Sequence, residues 1–236
     1  MVFRLAPQEH LMLIARIETG GLAEGPGPRT VIWFQGCPIR CPGCYNSYLW
    51  PFEGGQEMSL AQVLAEVEAG RARGDIGVSL VGGEPLAQPQ ACAELCVTLH
   101  ELGVHVIVYS GLTYEDIVSL KAIPAYEVIL DSANVLVDGP FIRSEYDPAI
   151  AYRGSRNQRV VDLRATQDCG EVITLNHAWD RQQTVTIGPG GSMVTSSFLA
   201  QVFTGSRSRA RNCGEAIQLS VARKECDNCE RRTDDS

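Results

Sequence analysis

Short apolar runs rich in β-branched residues alternate with segments of helical spacing over the first two thirds of this 236-residue chain, and this alternation limits the fold more than any other feature. Strands that repeat with intervening helices pair in parallel, because a parallel neighbour needs a crossover long enough to hold a helix. Residues 31–35, 78–81, 104–109, 127–130 and 135–137 read as strands. Residues 59–70, which start at a serine and end at a glycine, read as a helix, as do 88–102 and the short 114–120. The expected fold is α/β, with a core domain over residues 1–165. Residues 166–236 form a small extension, with a β-hairpin of 184–187 and 193–196 around Gly188-Pro189-Gly190-Gly191-Ser192 and then a polar, cysteine-bearing tail.

Parallel sheets carry their chemistry at the carboxyl ends of the strands, and the unusual residues of this chain fall there. They are the cysteines of Cys37-Pro-Ile-Arg-Cys41-Pro-Gly-Cys44, then Gly82-Gly83-Glu84-Pro85, Ser110-Gly111 and Asp138-Gly139-Pro140. The cysteine segment puts three soft thiolates into a Pro- and Gly-rich turn that can wrap one polynuclear cluster. Four cysteines close an iron–sulfur cube; three leave one iron open for chemistry. The competing readings are a structural zinc that borrows a fourth ligand, and three thiols without function. Zinc prefers paired C-x₂-C halves, and no histidine stands near this loop.

Composition narrows the setting. The start of the chain lacks the basic and cleavable pattern of an exported protein, so the nine cysteines are expected to sit reduced in the cytoplasm, where thiols serve as ligands or reactive groups. A net charge of −8 argues against nucleic acid as partner, and no apolar run is long enough to cross a bilayer.

The C-x₃-C-x₂-C spacing resembles the hallmark of the radical S-adenosylmethionine (SAM) superfamily. The string GPGPRTVIWFQGCPIRCPGCYN is similar to the activating enzymes of anaerobic ribonucleotide reductase, which carry a Gly-Pro-Gly-x-Arg segment before the cluster. Tyr109-Ser110-Gly111, the stretch VLVDGPF ending at Phe141, and RGSRNQR from Arg153 to Arg159 extend the likeness over residues 10–165. It implies a partial (β/α) barrel, with Cys37, Cys41 and Cys44 holding a [4Fe-4S] cluster whose open iron is chelated by SAM. Reductive cleavage of SAM would yield a 5′-deoxyadenosyl radical that removes a hydrogen atom from a glycine of a large glycyl radical enzyme, or from a peptide. A flavodoxin- or ferredoxin-type protein would supply the electron.

The resemblance also assigns residues 82–85 (Gly82, Gly83, Glu84 and Pro85) to the SAM amino group; Ser110 and Asp138, at later strand ends, are candidates for its ribose or methionine part and Arg153 for its carboxylate, each against a turn-forming or surface-pairing role. Gly43 stands where many members have an aromatic residue, and Tyr45, the nearest aromatic, is counted with the cofactor-binding residues. Asn46 is expected to cap the next segment. Cys92 and Cys96 are expected as small buried residues on one helix face. The Cys226-Asp-Asn-Cys229 pair, with Cys169 and Cys213, has the composition of a second zinc or iron–sulfur centre, against a tail of free thiols. Two further functions stay open: a tailoring enzyme acting on a ribosomal peptide or small molecule, and a non-catalytic iron–sulfur or zinc adaptor.

Overall fold

The structure is a computed structural model that describes residues 10–120, 122–176, 185–187 and 193–195. A seven-stranded sheet of order β3-β1-β2-β4-β5-β6-β7 organises it. Its middle is the parallel block β2 (Arg29–Phe34), β4 (Gly77–Gly82), β5 (His105–Tyr109) and β6 (Val135–Asp138). The flanks differ from the all-parallel expectation: β1 (Met12–Gly21) pairs antiparallel with both β2 and β3 (Gln56–Met58), and β7 (Arg159–Asp162) pairs antiparallel with β6. No pairing joins β3 to β7 among the described residues, so the sheet is open rather than a closed barrel.

Alternation along the parallel strands separates two faces. Ile32, Phe34, Val78, Leu80, Val106 and Val108 point one way, into the main core. Helices α1 (Leu60–Ala72) and α2 (Pro89–Glu101) cover that face with Val63, Val67, Leu95 and Leu99. Each such side chain, fully buried, stabilises the fold by roughly 1.5–3 kcal/mol. Cys92 and Cys96 of α2 belong to this core and are 0% exposed. Val31, Trp33, Val81, Ile107, Val135 and Val137 point the other way.

Local signals explain the element ends. Ser59 closes a capping box on α1: its hydroxyl accepts from Gln62 N–H at 3.3 Å while Gln62 Oε1 accepts from Ser59 N–H at 2.8 Å. Thr113 and Asp116 do the same for α3 (Tyr114–Ser119). The expected strand at 127–130 is instead part of helix α4 (Pro124–Ser132). Pro124 stands in its first turn, and Tyr126, Ile129 and Leu130 are buried at helical spacing while Val128 is left exposed. Strand β7 leads into α5 (Leu163–Cys169), where Asp162 accepts from Ala165 N–H at 2.9 Å and Gly170 ends the helix in the left-handed region. In the extension, β8 (Val185–Ile187) and β9 (Met193–Thr195) pair antiparallel.

Candidate active site

The segment after β2 turns back on its own start. Gly36 N–H donates to Leu49 O at 2.9 Å and Cys37 N–H to Trp50 O at 3.1 Å, which closes the loop, while Cys44 N–H donates to Cys41 O at 3.1 Å inside it. Gly36, Arg40 and Gly43 take positive φ, the tight geometry expected from the Gly- and Pro-rich spacing.

An open cleft lies where this loop meets the carboxyl ends of β4, β5 and β6. Cys37, Cys41 and Cys44 all line it, and none of the three is in a disulfide. Burial pushes the Cys37 thiol up, opposed by hydrogen bonds from the N–H groups of Arg40 and Ile39. Burial likewise raises Cys41, opposed by the Phe141 N–H. Those amide donors are what a buried thiolate ligand needs to stay charged. Among the described residues no three His, Cys, Asp or Glu side chains converge as a set for a single metal ion. A polynuclear cluster, whose thiolates bind different irons, spaces its ligands more widely. Three soft thiols at one cleft wall therefore suit an iron–sulfur cluster.

Residues 82–85 pack against the cysteine loop. A Cβ on Gly83 would lie 2.2 Å from Gly36 O, and Gly82 has φ of 115° with a Cβ site 2.5 Å from Phe34 N. Gly83 N–H donates to Phe34 O at 2.8 Å and Glu84 N–H to Gly36 O at 2.9 Å. The glycines thus first serve close approach of two backbones. Glu84 is fully buried; its Oε1 accepts from Leu86 N–H at 3.0 Å and its Oε2 from Gly111 N–H at 2.8 Å. Desolvation pushes its carboxyl up to about 7 against those hydrogen bonds.

Of the residues expected at the cofactor, Gly82, Gly83, Glu84, Ser110 and Tyr45 line the cleft together with the three cysteines. Pro85, Asp138 and Arg153 stand outside the lining. Pro85 opens a 3₁₀ turn of residues 85–87. Asp138, 1% exposed, accepts from Tyr114 N–H at 2.8 Å and pairs with Arg159. Arg153, 3% exposed, donates to Ala151 O and Gln158 O, both at 3.3 Å. Asn46 lines the cleft and holds the N-cap position of a 3₁₀ turn, but its side chain makes no capping bond. Tyr45 meets Phe141 edge-on at 6.1 Å and lies 6.1 Å from Tyr146, an aromatic rim. Cys169 ends α5; Cys213, Cys226 and Cys229 lie outside the described residues.

Sequence reasoning missed Glu24, Trp50 and Phe141 as lining residues and left open which way Trp33 points. Phe34 enters the core and Trp33 the cleft. The indole N–H groups of Trp33 and Trp50 and the Tyr109 hydroxyl are buried without a hydrogen-bond partner among the described residues. Buried donors of this kind call for a polar partner.

The model of the family described as "4Fe-4S single cluster domain" matches residues 23–161, a span that holds the cysteine loop and all four parallel strands. The chain belongs to this family and is an enzyme of the radical SAM type, which implies a [4Fe-4S] cluster and SAM as its cofactors. It is 34% identical over 151 residues to the anaerobic ribonucleoside-triphosphate reductase-activating proteins of Salmonella typhimurium and of Escherichia coli K12, covering 61% of this chain and 94% of each relative. The pyruvate formate-lyase-activating enzyme of Clostridium pasteurianum is 35% identical over 133 residues, 53% of this chain and 54% of that one. No helix among the described residues is long and apolar enough to cross a membrane.

Proposed function

We propose that this chain activates a glycyl radical enzyme of the anaerobic ribonucleotide reductase type, with Cys37, Cys41 and Cys44 as cluster ligands and residues 82–85 as the seat of the SAM amino group. The observation that carries the reading is the 34% identity running along 94% of the Salmonella activating protein: the likeness takes in almost all of that protein, not the cysteine loop alone. When bound, the cluster supplies the electron that breaks the sulfonium of SAM and frees a 5′-deoxyadenosyl radical.

The chain's own residues bind, orient and shield. The amides of Ile39, Arg40 and Phe141 favour the thiolate form of Cys37 and Cys41. Glu84 ties the turn after β4 to the turn after β5 through Leu86 and Gly111, which sets the spacing of two cleft walls. Ser110, whose hydroxyl accepts from Leu112 N–H at 3.0 Å, lines the cleft at the strand end and would offer a polar group to the ribose or methionine part of SAM. Ile39, Val81 and Val137 give apolar walls that keep water from a radical. An electron donor of flavodoxin or ferredoxin type and a large protein substrate complete the system, the latter covering the open cleft.

The test is anaerobic reconstitution followed by iron counting, SAM cleavage under a strong reductant, and electron-spin spectroscopy after adding an anaerobic ribonucleoside-triphosphate reductase. The expected result is about four irons per chain, release of 5′-deoxyadenosine and a glycyl doublet on the reductase, all lost when Cys37, Cys41 and Cys44 are changed to alanine. Deoxyadenosine release with no radical on the reductase would overturn the activase reading. Iron retained by the triple variant would overturn the ligand assignment.

A further inference from the structure

The register of the parallel block places Trp33 beside Val81 and Tyr109 beside Val137. Leu80 pairs with Val108, so Val81 and Tyr109 are also neighbours. Trp33, Val81, Tyr109 and Val137 therefore form one row across four strands, one residue short of the turns that carry Gly82 and Ser110, and all four line the cleft. Trp33 is 6% exposed, and among the described residues neither its indole N–H nor the Tyr109 hydroxyl has a hydrogen-bond partner.

Glu24 lines the same cleft from the opposite end, out of the segment that joins β1 to β2 at the amino ends of the parallel strands. A buried relay holds it there. Ser79 Oγ donates to Glu24 O at 2.6 Å and accepts from Arg29 Nε at 2.8 Å, while Arg29 Nη2 donates to Val78 O at 2.7 Å and His105 O at 2.8 Å. Arg29 is 1% exposed, so this anchor is part of the core. Burial, with help from Glu18, pushes the Glu24 carboxyl up to about 7, so a proton is exchangeable there near neutrality.

We propose that Glu24, Trp33 and Tyr109 form a recognition floor for the main chain of the polypeptide that gives up its hydrogen atom. This rests on the activase reading above. An indole gives one N–H donor, a phenol donates or accepts, and a carboxyl accepts. Together they match the alternating C=O and N–H groups of a peptide backbone. Val81 and Val137, interleaved in the row, leave apolar contact and call for no side chain, which suits a glycine. In the activase reading the amino and carboxylate groups of SAM are taken by the open iron, which leaves the donors of Trp33 and Tyr109 to the polypeptide; the guanidinium of Arg16 lies 3.8 Å from the centroid of the Trp33 ring and fixes its plane.

The experiment uses reconstituted holoenzyme and the variants Tyr109→Phe and Glu24→Gln, both near-isosteric, and Trp33→Phe, which removes the indole N–H together with some ring volume, with cluster absorbance and near-ultraviolet circular dichroism as controls on folding. Two quantities are read: KM for an anaerobic ribonucleoside-triphosphate reductase against KM for SAM, and the affinity of capped triglycine by calorimetry. Removing one hydrogen bond should raise KM for the reductase and Kd for triglycine by up to about tenfold, more than any change in KM for SAM. The floor is overturned if KM for SAM carries the effect, or if all three variants keep wild-type values for reductase and triglycine. A wild type that makes no radical on the reductase yet binds triglycine in a Trp33- and Tyr109-dependent way refutes the activase reading and leaves the floor standing.

Discussion

The carboxyl of Glu84 accepts from two backbone amides and is closed off from solvent, so charge and burial oppose each other at a single side chain. Its folded value of about 7 stands above the ordinary 4.5. The folded form is therefore favoured by protonation: the contribution is fully present below about pH 4.5 and is lost as pH rises through about 7. On the order of 3 kcal/mol is at stake across that window. Glu84→Gln should flatten the pH dependence of apo-protein denaturation between pH 5 and 7 to roughly the share left by Glu24. The same variant keeps one acceptor and loses the other, so its stability at pH 5 should fall by about 1–3 kcal/mol. The type of this residue was legible beforehand, as part of a Gly-Gly-Glu-Pro turn. Its commitment to Gly111 was not, because the partner lies 27 positions along the chain.

At the level of elements, the end of β4 and the start of the cysteine loop are two backbones in contact. Gly83→Ala places a methyl 2.2 Å from Gly36 O, backbone against backbone, where neither side can yield cheaply. The expected outcome is a displaced cysteine loop, with iron per chain after reconstitution falling by half or more and a loss of roughly 1–3 kcal/mol in denaturant unfolding. The reading of elements succeeded where periodicity and punctuation agreed, as in α1 with its Ser59 cap and in the four parallel strands. It failed at residues 127–130, where Glu-Val-Ile-Leu looks like a strand by composition. A short apolar run cannot distinguish strand from buried helix, and packing of Tyr126 and Ile129 in the main core decided it. The antiparallel strands β1, β3 and β7 at the two flanks of the sheet were missed because such a strand is defined by its neighbour, and two register shifts break the pattern of β1 against β2.

Across the whole molecule, Arg29 binds β2, β4 and β5 together at the end of the sheet opposite the cysteines. Burial lowers its pKa to about 10, which still leaves it charged, and burial with Arg29 beside it lowers His105 to about 4. Arg29→Met should destabilise the chain by about 3 kcal/mol, the worth of buried charge-assisted hydrogen bonds. The His105 resonance should then titrate at higher pH in the variant, since one of its two depressing causes is gone. An unchanged His105 titration would show that burial alone sets it.

The order of residues was enough to disclose an α/β core, three thiols in one turn and the clustering of polar motifs at strand ends, because each of these is a local property of spacing and residue type. Which motif residues face the cleft depended on folding. Asp138 pairs with Arg159, Arg153 donates to Ala151 O, and Trp33, Tyr109 and Glu24 come together from three separate segments. Strand register and burial bring distant residues to one face, and no local pattern encodes that meeting.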